Sequence, residues 1–218
     1  MRLNKYVASA TGMSRRAADG VIEQRRVTVN GTRPSAGQAV MPGDVIKFDD
    51  QVITAATRQQ TIMLNKPSGY VVSRDGQGSK TVYDLLPDDL NHLKAIGRLD
   101  KYSSGLLLMT TDGQLANQLS HPRYQKDKIY LVSLNNPLSS EHEARLRVGV
   151  ELADGGSRFT SIVRLDDKEF EVILQEGRNR QIRRTFDHLG YFVTNLHRTK
   201  FGKYNLGSLA PGKHRPIA

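Results

Sequence analysis

The sequence predicts an α+β protein: a small helix–helix–hairpin unit at the N-terminus, then a mixed, largely antiparallel sheet. Three observations carry this. The first ~50 residues hold two short helical stripes followed by two strand signals. From residue 61 the texture changes to many short β-rich runs with few helices. Successive runs mostly lie too close together for a helical crossover between them, which favours antiparallel neighbours. The boundaries read 1–50 for the first domain, 51–60 for a polar linker and 61–218 for the second domain.

Each element has its own signal. Leu3, Tyr6, Val7 and Ala10 recur at helical spacing, and Gly12 suits the stop. Ser14 can cap a second helix, whose apolar side is Ala17, Ala18, Val21 and Ile22. Val27-Thr28-Val29 reads as a strand ending in the Asn30-Gly31 turn, and Pro42-Gly43-Asp44 turns into the strand Val45–Phe48. In the second domain IMLNKP, AIGRL, SGLLLMTT, KIYLVSL, FTSIVRL and FEVILQE read as strands. Gln114–Leu119, Ser139–Arg147 and Asn179–Leu189 read as helices, the last capped by Asn179 with Ile182, Phe186 and Leu189 facing the core.

Composition narrows the function. The 218 residues carry a net charge of +10 and a pI near 9.9, which points to a polyanionic partner. The charge is clustered: residues 1–33 hold seven Lys/Arg against Asp19 and Glu23, and residues 176–215 hold nine against Glu176 and Asp187. There is no cysteine, so disulfides, thiolate metal sites and a cysteine nucleophile are excluded. The six histidines lack an HxxxH-type spacing, so no metal is expected. No apolar run is long enough to span a bilayer, and the start lacks the apolar stretch of a secretory signal, so a cytoplasmic protein is expected.

The densest chemical constellation is GRLDKYSSGLLLMTTDG, residues 97–113. A polar loop with Arg98, Asp100 and two serines precedes an apolar strand from Gly105 to Met109. Reactive groups are often held this way, and an arginine two residues from an aspartate can keep the carboxylate ionised. By itself the pattern also fits an ordinary surface loop. Tyr130, on a strand, reads by pattern as packing, and Lys66 as surface charge with its role open. Arg180, Arg183 and Arg184 fall off the apolar stripe of the last helix, near an N-terminus whose dipole favours anions.

The wording of these segments adds a resemblance. RLNKYVASATGMSRRAADGVIEQRRVTVNG with PGDVIKF is similar to the S-four-type RNA-binding domain, named after a ribosomal protein. GRLDKYSSGLLLMTTDG resembles the GRLDxxTxGLLLLTNDG signature of the RsuA-family pseudouridine synthases, with Thr111 where that signature has Asn. LNKPSG, KIYLV and EGRNRQIRR follow or flank it in the order that family requires. The resemblance implies a small S-four-like domain followed by a pseudouridine synthase domain. It implies Asp100 as the catalytic carboxylate, Tyr130 as an active-site tyrosine stacked on the target base, and Arg183 as the arginine that pairs with Asp100. It implies RNA contacts from Arg2, Lys5, Arg15, Arg16, Arg25 and Arg26, and from Arg98, Arg178, Arg180 and Arg184.

The expected substrate is a specific uridine in structured RNA, ribosomal RNA or a ribosome assembly intermediate rather than transfer RNA, acted on by a monomer. Substrate and product are isomers, so no cofactor is expected. Whether Asp100 bonds covalently to the sugar or first helps form a glycal stays open, as do the target nucleotide and subunit. A non-catalytic RNA binder and a nucleoside hydrolase are the rival readings. The first would need a decayed site, and the second would need a partner carboxylate, for which Asp112 lies too far along the strand.

Overall fold

A computed structural model describes residues 1–55 and 59–217. The chain divides into two compact units, residues 1–59 and 60–218. Of the expected linker 51–60, residues 56–58 lie outside the described residues, while Gln51 and Val52 belong to a strand of the first unit.

In the first unit, α1 (Leu3–Thr11) and α2 (Arg15–Glu23) pack on a small antiparallel sheet of β1 (Val27–Val29), β2 (Ile46–Phe48) and β3 (Gln51–Val52). The local signals act as predicted. Gly12 closes α1 with a left-handed φ of 76°, and the Ser14 hydroxyl accepts the Ala17 N–H at the start of α2. Asn30 and Gly31 both have positive φ, so the chain turns back at once, and the Val29 and Thr32 backbones bond to each other. The partner strand β2 arrives only after a longer loop. Leu3, Val7, Ala18, Val27, Val29 and Ile46 form the core. Ala17, expected on the apolar side of α2, is exposed.

The second unit is built on a nine-stranded sheet. Its elements are β4 (Thr61–Lys66), β5 (Lys94–Ile96), β6 (Ser104–Thr110), α3 (Gly113–Ser120), β7 (Lys128–Leu134), α4 (Ser140–Val148), β8 (Val150–Leu152), β9 (Gly155–Ser157), β10 (Ser161–Arg164), β11 (Glu169–Leu174), α5 (Gln181–Asp187), β12 (Val193–Phe201), β13 (Tyr204–Asn205) and β14 (His214–Pro216). The strand order is β10-β11-β7-β12-β6-β4-β14, with β5 also on β6 and β13 also on β12. All pairs are antiparallel except β12 with β6. β8 and β9 form a separate hairpin.

β6 lies inside this sheet and is buried on both faces, which explains its unbroken apolar run. Leu107 and Met109 join one core with Leu64, Val132, Phe170 and Phe186, while Leu106 and Leu108 join another with Met63, Leu119 and Phe201. No helix among the described residues is long and apolar enough to cross a membrane.

Two local expectations need correction. Asn179 does not cap the last helix: Arg180 takes the cap position in a left-handed conformation (φ 47°), and α5 begins at Gln181. Instead, the Gln181 side chain accepts the Arg178 N–H. The sheet also contains a strand that the sequence patterns do not announce, β12, which joins β7 to β6 at its centre.

Candidate active site

Asp100 stands half-buried on the loop between β5 and β6. That loop is clamped through its carbonyls. Lys66, at the end of β4, has no solvent exposure, which corrects the surface-charge reading. Its ammonium donates to the carbonyls of Pro67 (3.0 Å), Lys101 (3.2 Å) and Ser103 (2.6 Å). Three donors thus meet three acceptors, the arrangement a buried ammonium requires. The Gly69 N–H donates to the Lys101 carbonyl as well, at 2.8 Å. Arg183, on α5, donates from Nη2 to the Tyr102 carbonyl at 2.9 Å and from Nη1 to Val193 at 2.6 Å. The Ser103 N–H closes the turn on the Asp100 carbonyl at 3.0 Å. Carbonyls 101, 102 and 103 are each held, so the backbone that carries Asp100 has little freedom to move.

The same two cations set the electrostatics at Asp100. Burial pulls the Lys66 ammonium down to about 8, and the attraction of Asp100 opposes that fall. Burial, then the neighbouring charge of Arg180, lowers Arg183, again against the pull of Asp100. Among the described residues Asp100 enters no ion pair within 4.0 Å. Arg183 is coupled to Asp100 through the attraction between their charges and through the Tyr102 carbonyl; its two Nη nitrogens bond backbone oxygens, and its Nε is buried without a hydrogen-bond partner among the described residues. Arg98 does not pair with Asp100 either; its side chain lines a neighbouring cavity.

That cavity has a volume of about 160 Å³. Tyr130, only 8% exposed, forms part of its wall, with Arg198 and Phe201 of β12 beside it. The register sets Arg198 between Tyr130 on one side and Gly105 on the other. Gly105 is required there: a Cβ would sit 2.3 Å from the Arg198 carbonyl oxygen, at a φ of +102°.

The other expected site residues divide into two groups. Arg178 is committed to the β8–β9 turn, donating to the backbone of Asp154, Gly155 and Gly156 and to the Asp154 carboxylate. Arg184 grips the same carboxylate with two bonds of 2.8 and 2.9 Å. Arg26 likewise pairs with Asp49 at 2.5 Å and lies over the Phe48 ring. Arg2, Arg15, Arg16 and Arg25 are exposed on the first unit and Lys5 is half-buried there, while Arg180 is exposed on the second. Sequence reasoning missed Lys128 and Arg198. Lys128 opens the KxY segment and could have been weighed there; Arg198 lies on the strand that was not foreseen.

Residues 60–188 match the RNA pseudouridylate synthase family, and residues 1–46 match the S4 domain family. The chain is 39% identical over 219 residues to ribosomal large subunit pseudouridine synthase B of Xanthomonas campestris, covering 94% of this chain and 44% of that protein. It spans less than half the length of that relative and of its Xanthomonas axonopodis counterpart, of which it covers 40%. It is 36% identical to the dual-specificity RNA pseudouridine synthase RluF of Escherichia coli, covering all of this chain and 75% of that one. A solved structure described as a pseudouridylate synthase superimposes with a TM-score of 0.73 at 34% identity, covering 100% of this chain and 96% of the other.

Proposed function

The chain belongs to the RsuA-type family of RNA pseudouridine synthases, and from that premise we propose that it isomerises a specific uridine of structured RNA, with Asp100 as the catalytic carboxylate. The single observation that carries the role of Asp100 is the clamp: a half-buried carboxylate on a loop whose carbonyls are fixed by Lys66 and Arg183, the two cations that also attract it. Preorganised charge of this kind is what a reaction with developing positive charge at a sugar carbon needs. The bond from C1′ to the uracil N1 breaks, and a new bond forms from C1′ to C5. The C5 proton leaves to solvent and N1 takes one up, so atoms balance without a cofactor. Asp100 meets the sugar either as a nucleophile or as a charge stabiliser.

The substrate is ribosomal RNA or a ribosome assembly intermediate, by analogy with the relatives named for the large ribosomal subunit, and the enzyme works in the cytoplasm as a monomer. The first unit docks on the RNA through Arg2, Lys5, Arg15, Arg16, Arg25 and Arg26, while Arg98 and Arg180 meet the strand near the target. Arg178 and Arg184 contribute by fixing the β8–β9 turn through Asp154. Unstacking the target costs a few kcal/mol, and stacking on Tyr130 offsets about 1–3 kcal/mol of that.

Tritium release from RNA labelled at C5 of uridine tests this directly. Wild-type protein should release tritium from a ribosomal RNA transcript and not from transfer RNA, and Asp100→Asn should release none. Equal release by the variant would mean that another group is the catalytic carboxylate. Free uracil in the products would mean hydrolysis instead of isomerisation.

A further inference from the structure

Arg198 is 2% exposed, yet among the described residues its guanidinium makes one hydrogen bond, from Nε to the Leu106 carbonyl at 2.8 Å. Its Nη2 is buried without a partner among the described residues. An unpaired charged donor in a protein interior costs several kcal/mol unless something accepts from it. The side chain is held over the Phe201 ring, 4.9 Å from the centroid, and lines the cavity described above.

The other charges around that cavity are mostly of the same sign. Arg98, Lys126 and Lys128 line it with Arg198, against the single carboxylate of Glu176. Glu176 is already engaged by the side chains of Gln181 and Arg178. The Lys128 ammonium sits 5.4 Å from the Phe201 ring centroid and donates to the Glu176 carbonyl at 3.2 Å. Burial, then repulsion by Arg198, lowers its proton affinity. Four cations sharing one small cavity repel one another, and an incoming anion would relieve that repulsion.

We propose that this cavity is a phosphate-binding site, with Arg198 as its buried donor and Lys128 and Arg98 at its walls. Its ligand is a phosphodiester of the RNA strand, on the nucleotide presented to Tyr130. That last assignment rests on the function proposed above; the phosphate chemistry does not. With Nε held by the Leu106 carbonyl, the Nη nitrogens of Arg198 are left for phosphate oxygens, and Lys128 supplies a point charge at the same cavity. The site would seat the backbone on one side of Tyr130 while the base stacks on its ring, so that the sugar between them is fixed at both ends.

Side-chain ¹⁵N NMR on the full chain tests the proposal, with inorganic phosphate, uridine, uridine 5′-monophosphate and uridine 3′-monophosphate as separate titrants. Phosphate and at least one monophosphate should shift the Arg198 guanidinium signals, and uridine alone should not. The monophosphate that binds more tightly identifies which flanking phosphate is held. Lys128→Gln, a substitution at a half-exposed strand position, should weaken phosphate binding by about tenfold, as the loss of a charge-assisted hydrogen bond implies. Lys126→Ala, at an exposed position, provides a second variant that has no core packing to disturb. Shifts with uridine but none with phosphate would overturn the proposal in favour of a base pocket. Silence with phosphate in a wild-type protein that releases tritium would overturn it while leaving the enzyme intact. Phosphate binding in a protein that releases none would keep the site and remove the enzymatic reading.

Discussion

At the scale of single residues, the arrangement around Asp100 depends on a buried lysine. Lys66 meets three carbonyls with three N–H donors only while it is protonated. Its folded value, about 8, lies below the ordinary 10.5. Below pH 8 the lysine is charged in both folded and unfolded chains, and the cost of burying it is fully felt. Between about 8 and 10.5 the unfolded chain holds more protons, so stability at this site rises with pH. The clamp changes the other way, because the neutral amine has one donor fewer and no charge facing Asp100. We therefore expect the single-turnover rate of tritium release to fall as pH rises through about 8. Lys66→Met should lack that limb and should lose stability on the order of 3 kcal/mol, from the Pro67 and Ser103 carbonyls left without their donor. A limb that persists in the variant would belong to another group, such as the base itself. Asp100→Asn is the contrasting case: rate down by at least about a thousandfold, as loss of a reacting or charge-stabilising group implies, with a smaller loss of stability than Lys66→Met, because the attraction opposing the burial of Lys66 and Arg183 goes while their hydrogen bonds stay.

At the scale of elements, Gly105 permits the closest backbone approach at the site. Gly105→Ala places a methyl 2.3 Å from the Arg198 carbonyl at a left-handed φ, so either β6 or β12 must move. A cost above about 3 kcal/mol is expected in urea unfolding, because strain and overpacking add; a destabilisation under about 1 kcal/mol would show that the two strands part easily. This pairing also shows what the sequence could reveal. The β6 strand was legible because it is apolar on both faces, and its preceding loop was legible because the GRLD wording singles out Asp100. β12 was not. Thr194, Asn195, His197, Thr199 and Lys200 interrupt its apolar positions, and register shifts between Val193 and Asn195 and between Arg198 and Lys200 break the alternation that marks a strand. The β8–β9 hairpin is glycine-rich and stabilised by Arg178 and Arg184 on Asp154, long-range interactions that no local pattern encodes. The burial of Lys66 escapes local pattern for the same reason: two of the three carbonyls it meets come from a loop some 35 residues further along the chain.

At the scale of the whole molecule, the proposed chemistry and the proposed docking fall in separate compact units. The first unit has its own core of Leu3, Val7, Ala18, Val27 and Ile46, and the second has cores on its own sheet. A fragment of residues 60–218 should therefore fold by itself, with a single cooperative urea transition. The first unit carries Arg2, Arg15, Arg16 and Arg25 exposed, while Arg26 is partly neutralised by Asp49. If those arginines rest on phosphates, each releases counterions, and removing one arginine takes about 0.7–0.9 off the slope of log affinity against log salt. The fragment should then bind ribosomal RNA with a slope shallower by about 3–4, and should modify more sites with less preference among them. Its rate at saturating RNA should stay within about tenfold of the full chain, because Asp100, Lys66, Arg183 and Tyr130 all lie in the second unit. An unchanged salt slope would mean that the basic face of the first unit meets something other than the RNA backbone. A lost rate with an intact slope would mean that the first unit takes part in the chemistry itself.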